Sequence, residues 1–269
     1  MKTPKDIKTI RGELPGKTIA IVAGIHGNEK GALKALELAL DSFHITNGVV
    51  HFVIGNPLAI KQGVRFVESN LNRAFKPNQH IESPTYEQKR ARELMSLFDT
   101  CDALLDLHSV SNPKATPFII CEKKYFDIAK KFPFPIRSSG WNKIEPGGTD
   151  FYMSTQDKIG ICLECGYHDD PKVTERALEG IKIFLGIMGN SSFPVPQDND
   201  QQKEINATEI YITKENFVLA DEFSDFTYAP AGKLIGHDGN NEYRMPSDGI
   251  VIFARATDKP GQEAVIISA

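Results

Sequence analysis

Ala23-Gly24-Ile25-His26-Gly27-Asn28-Glu29-Lys30-Gly31-Ala32 stands between two different periodicities. Before it, residues 17–23 (Lys-Thr-Ile-Ala-Ile-Val-Ala) read as a strand buried on both faces of an α/β sheet. After it, Leu33, Leu36, Ala39 and Leu40 follow a helical period, so residues 29–41 are expected to form a helix packed back on that sheet. The join is therefore a strand-to-helix turn holding an imidazole and a carboxylate among the glycines at 24, 27 and 31. Such a turn can aim His26 and Glu29 at one point. That suits a divalent metal, provided a third ligand arrives from elsewhere. Alone, His-x-x-Glu occurs by chance in many helices, and a plain surface turn is the simpler reading.

The rest of the chain narrows the class. Its 269 residues suit one large domain, or a medium domain with a small partner. A net charge of −4 and no Lys/Arg-rich block argue against nucleic acid or an anionic membrane as a general partner. The segment Met1-Lys2-Thr3-Pro4-Lys5-Asp6 lacks the apolar core of a signal peptide, and no apolar run is long enough to span a bilayer. Four cysteines suit a reducing compartment, so the expected location is the cytoplasm. Cys162-x-x-Cys165 lacks the second pair of a zinc knuckle and reads as buried thiols in a strand. The sequence leaves the oligomeric state open, a homo-oligomer included.

Further strands are expected at 48–55, 103–108, 116–121 and 159–164, with helices at 85–98, 124–132 and from Asp169-Asp170-Pro171 to a stop at Gly189. Residues 133–150, rich in proline and glycine, read as a loop leading to a short helix. Alternating strands and helices predict an α/β fold, a sheet with helices on both faces, over residues 1–190. Residues 191–202 read as a linker. Beyond them only short β-rich runs remain, so 191–269 is expected to be a small all-β domain packed near the first.

Catalytic groups of α/β proteins collect at the carboxyl ends of strands. Here the strands end at Gly24-Ile25-His26, Asp106-Leu107-His108 and Leu163-Glu164, delivering His, His and Glu to one edge, with Glu29 a helical turn from His26. Two histidines and a carboxylate on zinc, with a further carboxylate as base, are the minimal kit for metal-assisted hydrolysis. Taken singly, His108 could be a hydrogen-bonded core residue and Glu164 could pair with an arginine.

His26-Gly27-Asn28-Glu29, Asn56-Pro57, Asn70-Leu71-Asn72-Arg73, Asp106-Leu107-His108 and Glu164-Cys165-Gly166 occur in that order. The series resembles the succinylglutamate desuccinylase/aspartoacylase family, a branch of the zinc-carboxypeptidase superfamily, over residues 17–190. The resemblance implies a zinc-carboxypeptidase-like mixed sheet, one zinc held by His26, Glu29 and His108, and Glu164 as general base. It also implies that Arg65 steadies the oxyanion and that Asn72 and Arg73 grip a substrate carboxylate, a task suited to a planar guanidinium. Asp106 shares a strand face with His108; it either orients that ligand or is simply buried and hydrogen-bonded.

In aspartoacylases a tyrosine and an arginine shortly before the catalytic glutamate bind the second carboxylate of the substrate. Residues 147–156 here contain no arginine, and Asp150 stands in that stretch, either favouring a neutral or cationic group or capping the short helix. Tyr167, His168, Trp141, Tyr243 and Arg244 have no assigned role at this point. The implied activity is zinc-dependent hydrolysis of a small N-acylated amino acid or related amine. The competing readings are a carboxypeptidase for short peptides and a non-catalytic metal-binding protein.

Overall fold

The computed structural model describes residues 6–77 and 81–268; Met1-Lys2-Thr3-Pro4-Lys5, read above for a missing apolar core, lies outside them. In chain order come β1 (Ile7–Arg11), β2 (Leu14–Ala23), α1 (Lys30–Ser42), β3 (Asn47–Ile54), α2 (Pro57–Gln62), α3 (Tyr86–Phe98) and β4 (Ala103–Val110). There follow β5 (Phe118–Cys121), α4 (Phe126–Ala129), β6 (Ile136–Ser139), α5 (Trp141–Ile144), α6 (Thr149–Ser154), β7 (Ile159–Tyr167), α7 (Lys172–Met188) and β8 (Lys203–Asn206). The strands make one eight-stranded mixed sheet in the order β1-β3-β2-β4-β7-β5-β6-β8. β3, β2, β4 and β7 are parallel, while β1 and β5 run antiparallel to β3 and β7.

The continuous apolar runs of β2, β4 and β7 reflect burial on both faces. Ile19, Ile21, Leu105, Leu107, Ile161 and Leu163 enter the core that includes Ala35 of α1 and Phe184 of α7. The alternate residues Ala20, Val22 and Leu104 enter a second core with Leu94 and Phe98 of α3 and Met153 of α6. Because side chains alternate, Asp106 and His108 follow Leu104 on the α3/α6 face, where the apolar packing gives way to the site. The chain goes from β3, on one side of β2, to β4 on the other. The carboxyl ends of β2 and β4 therefore flank a topological switch point, where α/β sheets bind ligands.

Two departures from the sequence-based expectation bear on the site. α2 extends from the Asn56-Pro57 turn, with Asn56 Oδ1 accepting from Ala59 N at 3.1 Å and proline at its first turn. Residues 133–150, expected as a loop leading to a short helix, contain the strand β6 before α5, which places Trp141 beside the cleft.

After the proline-bearing stretch the chain returns to the large sheet as β8, so the sheet draws on residues beyond 190. The remainder forms β9 (Glu209–Ile212), β10 (Phe217–Leu219), β11 (Thr227–Ala229), β12 (Leu234–Asp238), β13 (Asn241–Arg244), β14 (Gly249–Ile252) and β15 (Glu263–Ser268). They build two antiparallel sheets, β10-β12-β13 and β11-β14-β15-β9. An aromatic cluster joins these sheets to the large one. Fully buried Phe118 of β5 lies 4.9 Å from Phe226, 5.6 Å from Phe253 and 5.9 Å from Trp141, between ring centroids. Emptying such a position costs about 3–5 kcal/mol, so this cluster is enough to fix the C-terminal sheets against the cleft. Among the described residues no helix is long and apolar enough to cross a membrane.

Candidate metal centre and active site

The turn after β2 is shaped by two glycines. Gly24 has a φ of +72°, which L side chains rarely adopt. A Cβ on Gly27 would lie 2.2 Å from the Ala59 carbonyl carbon of α2. That close approach lets Gly27 N–H donate to the Arg65 carbonyl at 3.2 Å, bringing the Arg65 segment beside His26.

His26, Glu29 and His108 come together, each at most 3% exposed, with one ligand atom from each lying within 4.8 Å of the others. His26 Nδ1 is 2.7 Å from Glu29 Oε1, and His108 Nδ1 is 3.1 Å from Glu29 Oε2. The outer nitrogen of His26, Nε2, lies 3.1 Å from Asn70 Oδ1. The backbone N–H of Asn72 also donates to Asn70 Oδ1, at 3.0 Å, which identifies that atom as the amide oxygen. His26 therefore carries its hydrogen on Nε2. Burial, with help from Arg65, lowers the His26 pKa to about 4, so the imidazole is neutral at pH 7. A neutral ring protonated at Nε2 presents a bare lone pair at Nδ1, here facing a carboxylate oxygen. Two ligand atoms so placed fit a shared metal ion.

Burial opposes charging of His108, but Asp106 and then Glu29 outweigh it and lift the imidazole well above its usual range. Burial likewise opposes ionisation of Glu29, yet His26 and His108 hold it well below the usual carboxylate range. Ser109 N–H donates to Glu29 Oε2 at 3.1 Å and fixes the carboxylate. Two imidazoles and one ionised carboxylate, all buried and convergent, fit a tetrahedral zinc site with one open position.

Behind His108, Asp106 Oδ2 lies 3.0 Å from Nε2, an angled ion-pair contact rather than a straight hydrogen bond. The same oxygen accepts from the Thr149 hydroxyl of α6 at 2.7 Å. Asp106 thus both backs a ligand and links two elements.

Glu164 of β7 is in register with His108 of β4, so the two side chains stand side by side on one face. Burial pushes its carboxyl up to about 8; Glu29 and Asp106 add to the rise, while His108 and Arg65 oppose it. Its Oε2 is buried and accepts no hydrogen bond among the described residues. Arg65 Nη1 lies 3.6 Å from Glu29 Oε1, with the side chain 38% exposed toward the cleft. A cavity of about 50 Å³ lies beside Glu164, walled by Asn72, Arg73, Trp141, Asp150 and Phe253 among others. All seven residues singled out from the sequence therefore border one region, with Asn72 joined to His26 through Asn70.

The structure also enlists residues the sequence reading left without a role. Asn70 orients His26, although within the Asn70-Leu71-Asn72-Arg73 motif only Asn72 and Arg73 carried an expected role; its place capping the short 3-10 helix Leu71–Arg73 was the available signal. Glu87 of α3 is fully buried and accepts from the backbone N–H groups of Val67, Glu68 and Ser69, fixing the loop that leads to Asn70. His168 bonds the Ser109 hydroxyl at 2.8 Å, behind the anchor of Glu29, whereas Tyr167 turns to Asp169. Trp141 both walls the cavity and fixes its loop through Ser138 Oγ at 2.8 Å. From the tail, Phe253 and Arg255 reach the cleft; Tyr243 instead stacks on Tyr211 and Arg244 pairs with Glu242. All four cysteines are free and buried.

Residues 15–181 match the succinylglutamate desuccinylase/aspartoacylase catalytic domain. The chain is 28% identical to a probable aspartoacylase of Prochlorococcus marinus subsp. pastoris, over 68% of this chain and 66% of that protein. It is 25% identical to the succinylglutamate desuccinylase of Pseudoalteromonas atlantica, over 93% of this chain and 80% of that protein. The match thus spans a little under two thirds of the aspartoacylase. In fold it is similar to a solved succinylglutamate desuccinylase from Vibrio parahaemolyticus, with a TM-score of 0.77, 19% identity, and coverage of 98% of this chain and 86% of the other.

Proposed function

The chain belongs to the succinylglutamate desuccinylase/aspartoacylase family, and on that premise we propose that it is a zinc-dependent deacylase hydrolysing the amide bond of a small N-acylated amine or amino acid. The observation that supports this reading best is the pair of imidazole Nδ1 atoms facing one ionised carboxylate, with Glu164 in register beside them. His26, Glu29 and His108 would hold the zinc, which when bound supplies a Lewis acid and lowers the pKa of water to roughly 7.

The protein groups have separable tasks. Glu164 Oε2, buried and without a partner among the described residues, takes the proton of the attacking water and passes it to the leaving nitrogen. A base whose pKa sits near the working pH serves both transfers. Arg65 directs its guanidinium at the oxygen on which negative charge develops. Asn72 and Arg73 form part of the substrate wall. Phe253, from the C-terminal sheets, borders the cavity beside Glu164, which supports a small substrate over a peptide.

Hydrolysis of a panel of N-acetyl and N-succinyl amines and amino acids, followed with and without chelator, tests the proposal. Chelator-sensitive release of free amine is expected. Cleavage of short peptides with no turnover of acylated amines would reverse the assignment, and full activity after complete metal removal would refute it.

A further inference from the structure

Arg73, the residue expected to grip a substrate carboxylate, is already committed. Its Nη2 pairs with Glu145, its Nε with Glu263 Oε1 at 3.0 Å, and its Nη1 donates to the Asn72 carbonyl at 2.9 Å. Arg255, reaching in from the tail, spends its Nε on the Glu263 carbonyl at 2.7 Å and its Nη2 on Glu263 Oε2 at 3.1 Å. Glu145 and Glu263 therefore neutralise both arginines, and an incoming carboxylate would have to displace one of them.

The remaining wall is built of acceptors. Asp150 and Glu164 line the same cavity, and Asn72 Oδ1 is buried without a hydrogen bond among the described residues. Nearby donors are used internally: Trp141 Nε1 bonds Ser138, and Asn142 Nδ2 bonds Glu122 and Ser154. Of the carboxyl groups bordering the three small cavities that share Phe253, Glu145 and Glu263 pair with Arg73 and Arg255, whereas Asp150 makes no ion pair among the described residues. A second substrate carboxylate would lie against Asp150 with Arg73 and Arg255 already paired. An ammonium, with three donors and no acceptor, would instead give Asp150 a partner.

Resting on the deacylase reading, we infer that this pocket selects an N-acylated amine whose other end carries a primary ammonium, seated against Asp150 and Glu145, and discriminates against a carboxylate there. Burial pushes Asp150 up to about 6 and, with Glu263 adding to the rise against Arg73, Glu145 up to about 7.

Three substrates of equal length decide the matter: N-acetylputrescine, N-pentylacetamide and N-acetyl-γ-aminobutyrate, ending in ammonium, methyl and carboxylate. With zinc-loaded protein, kcat/KM is expected to fall in that order, by about tenfold or more between the first and last. Asp150→Asn and Glu145→Gln should each shrink the ammonium-to-carboxylate ratio by about tenfold, the latter by also releasing Arg73. A carboxylate substrate turned over as fast as the uncharged one, or ratios unmoved in both variants, would overturn the inference. Calorimetric titration of putrescine and γ-aminobutyrate separates it from the deacylase reading. Tighter putrescine binding without hydrolysis of any acylated amine supports the charge selection and refutes the deacylase; tighter γ-aminobutyrate binding refutes the charge selection.

Discussion

Replacing Glu87 by glutamine should destabilise the protein far more than an ordinary change near a helix start, and should weaken metal binding from a distance. Glu87 is fully buried in the first turn of α3. Its Oε1 accepts from Val67 N at 2.7 Å and Asn56 Nδ2 at 3.2 Å, and its Oε2 from Glu68 N at 3.2 Å and Ser69 N at 3.1 Å. Glutamine has the same shape, but either orientation of its amide turns an NH₂ group toward two of these donors. Bonds to a charged acceptor are worth about 1.5–3 kcal/mol each, and a stranded buried donor costs about 1–3 kcal/mol, so a net loss of about 3–5 kcal/mol is expected after partial relaxation. For a chain of this size that is roughly 6–20 °C in Tm. The loop it holds ends at Asn70, the residue that orients His26, so zinc affinity should fall about tenfold or more. Burial opposes ionisation of Glu87, but the backbone N–H groups, Val67 foremost, hold its carboxyl below the ordinary 4.5. The deficit of the variant should therefore be complete above about pH 4.5 and shrink as pH falls through the folded value. Urea unfolding, thermal melts and a competitive chelator titration measure these effects, with Glu93→Gln as control, its side chain being 60% exposed on the same helix. A Glu87→Gln protein melting within about 2 °C of the parent would refute the claim that this carboxylate organises the loop.

Asp106→Asn should fold, keep its link to Thr149, and bind zinc about 10–100-fold more weakly because His108 loses a charged partner, as read by chelator competition. Unchanged affinity would leave Asp106 as only a buried link to α6. Asp225, 5% exposed and bonded to Phe253 N at 3.2 Å, is pushed by burial up to about 6 from 3.8. The folded state holds that proton more tightly than the unfolded chain, so stability falls as pH rises from about 4 to 6. Asp225→Asn should accordingly gain about 1–3 kcal/mol at pH 8 and nothing below about pH 4, in paired urea titrations. An equal gain at both values would locate the effect outside the ionisation.

The inner strands were legible because burial on both faces writes a continuous apolar run, and β2, β4 and β7 each carry one. The ligands were legible for a related reason: they stand where those runs meet polar residues. β1, β6 and β8 were missed because Ile-Lys-Thr-Ile-Arg, Ile-Arg-Ser-Ser and Lys-Glu-Ile-Asn are short and interrupted by charged or polar residues, and β1 and β8 are the two edges of the sheet. Supporting contacts were invisible for want of any local pattern. Asn70 and Thr149 act on residues 44 and 43 positions away, and Arg73 meets Glu263 across 190. An arginine reads the same in sequence whether it awaits a substrate or is already paired.

The most direct test is the turnover of Glu164→Gln at measured zinc occupancy. Glutamine leaves His26, Glu29 and His108 intact while removing the group assigned to carry the proton, so zinc content near that of the parent and at least about a hundredfold loss of kcat are expected. Parental turnover at equal zinc content would contradict the assignment of Glu164 as the base.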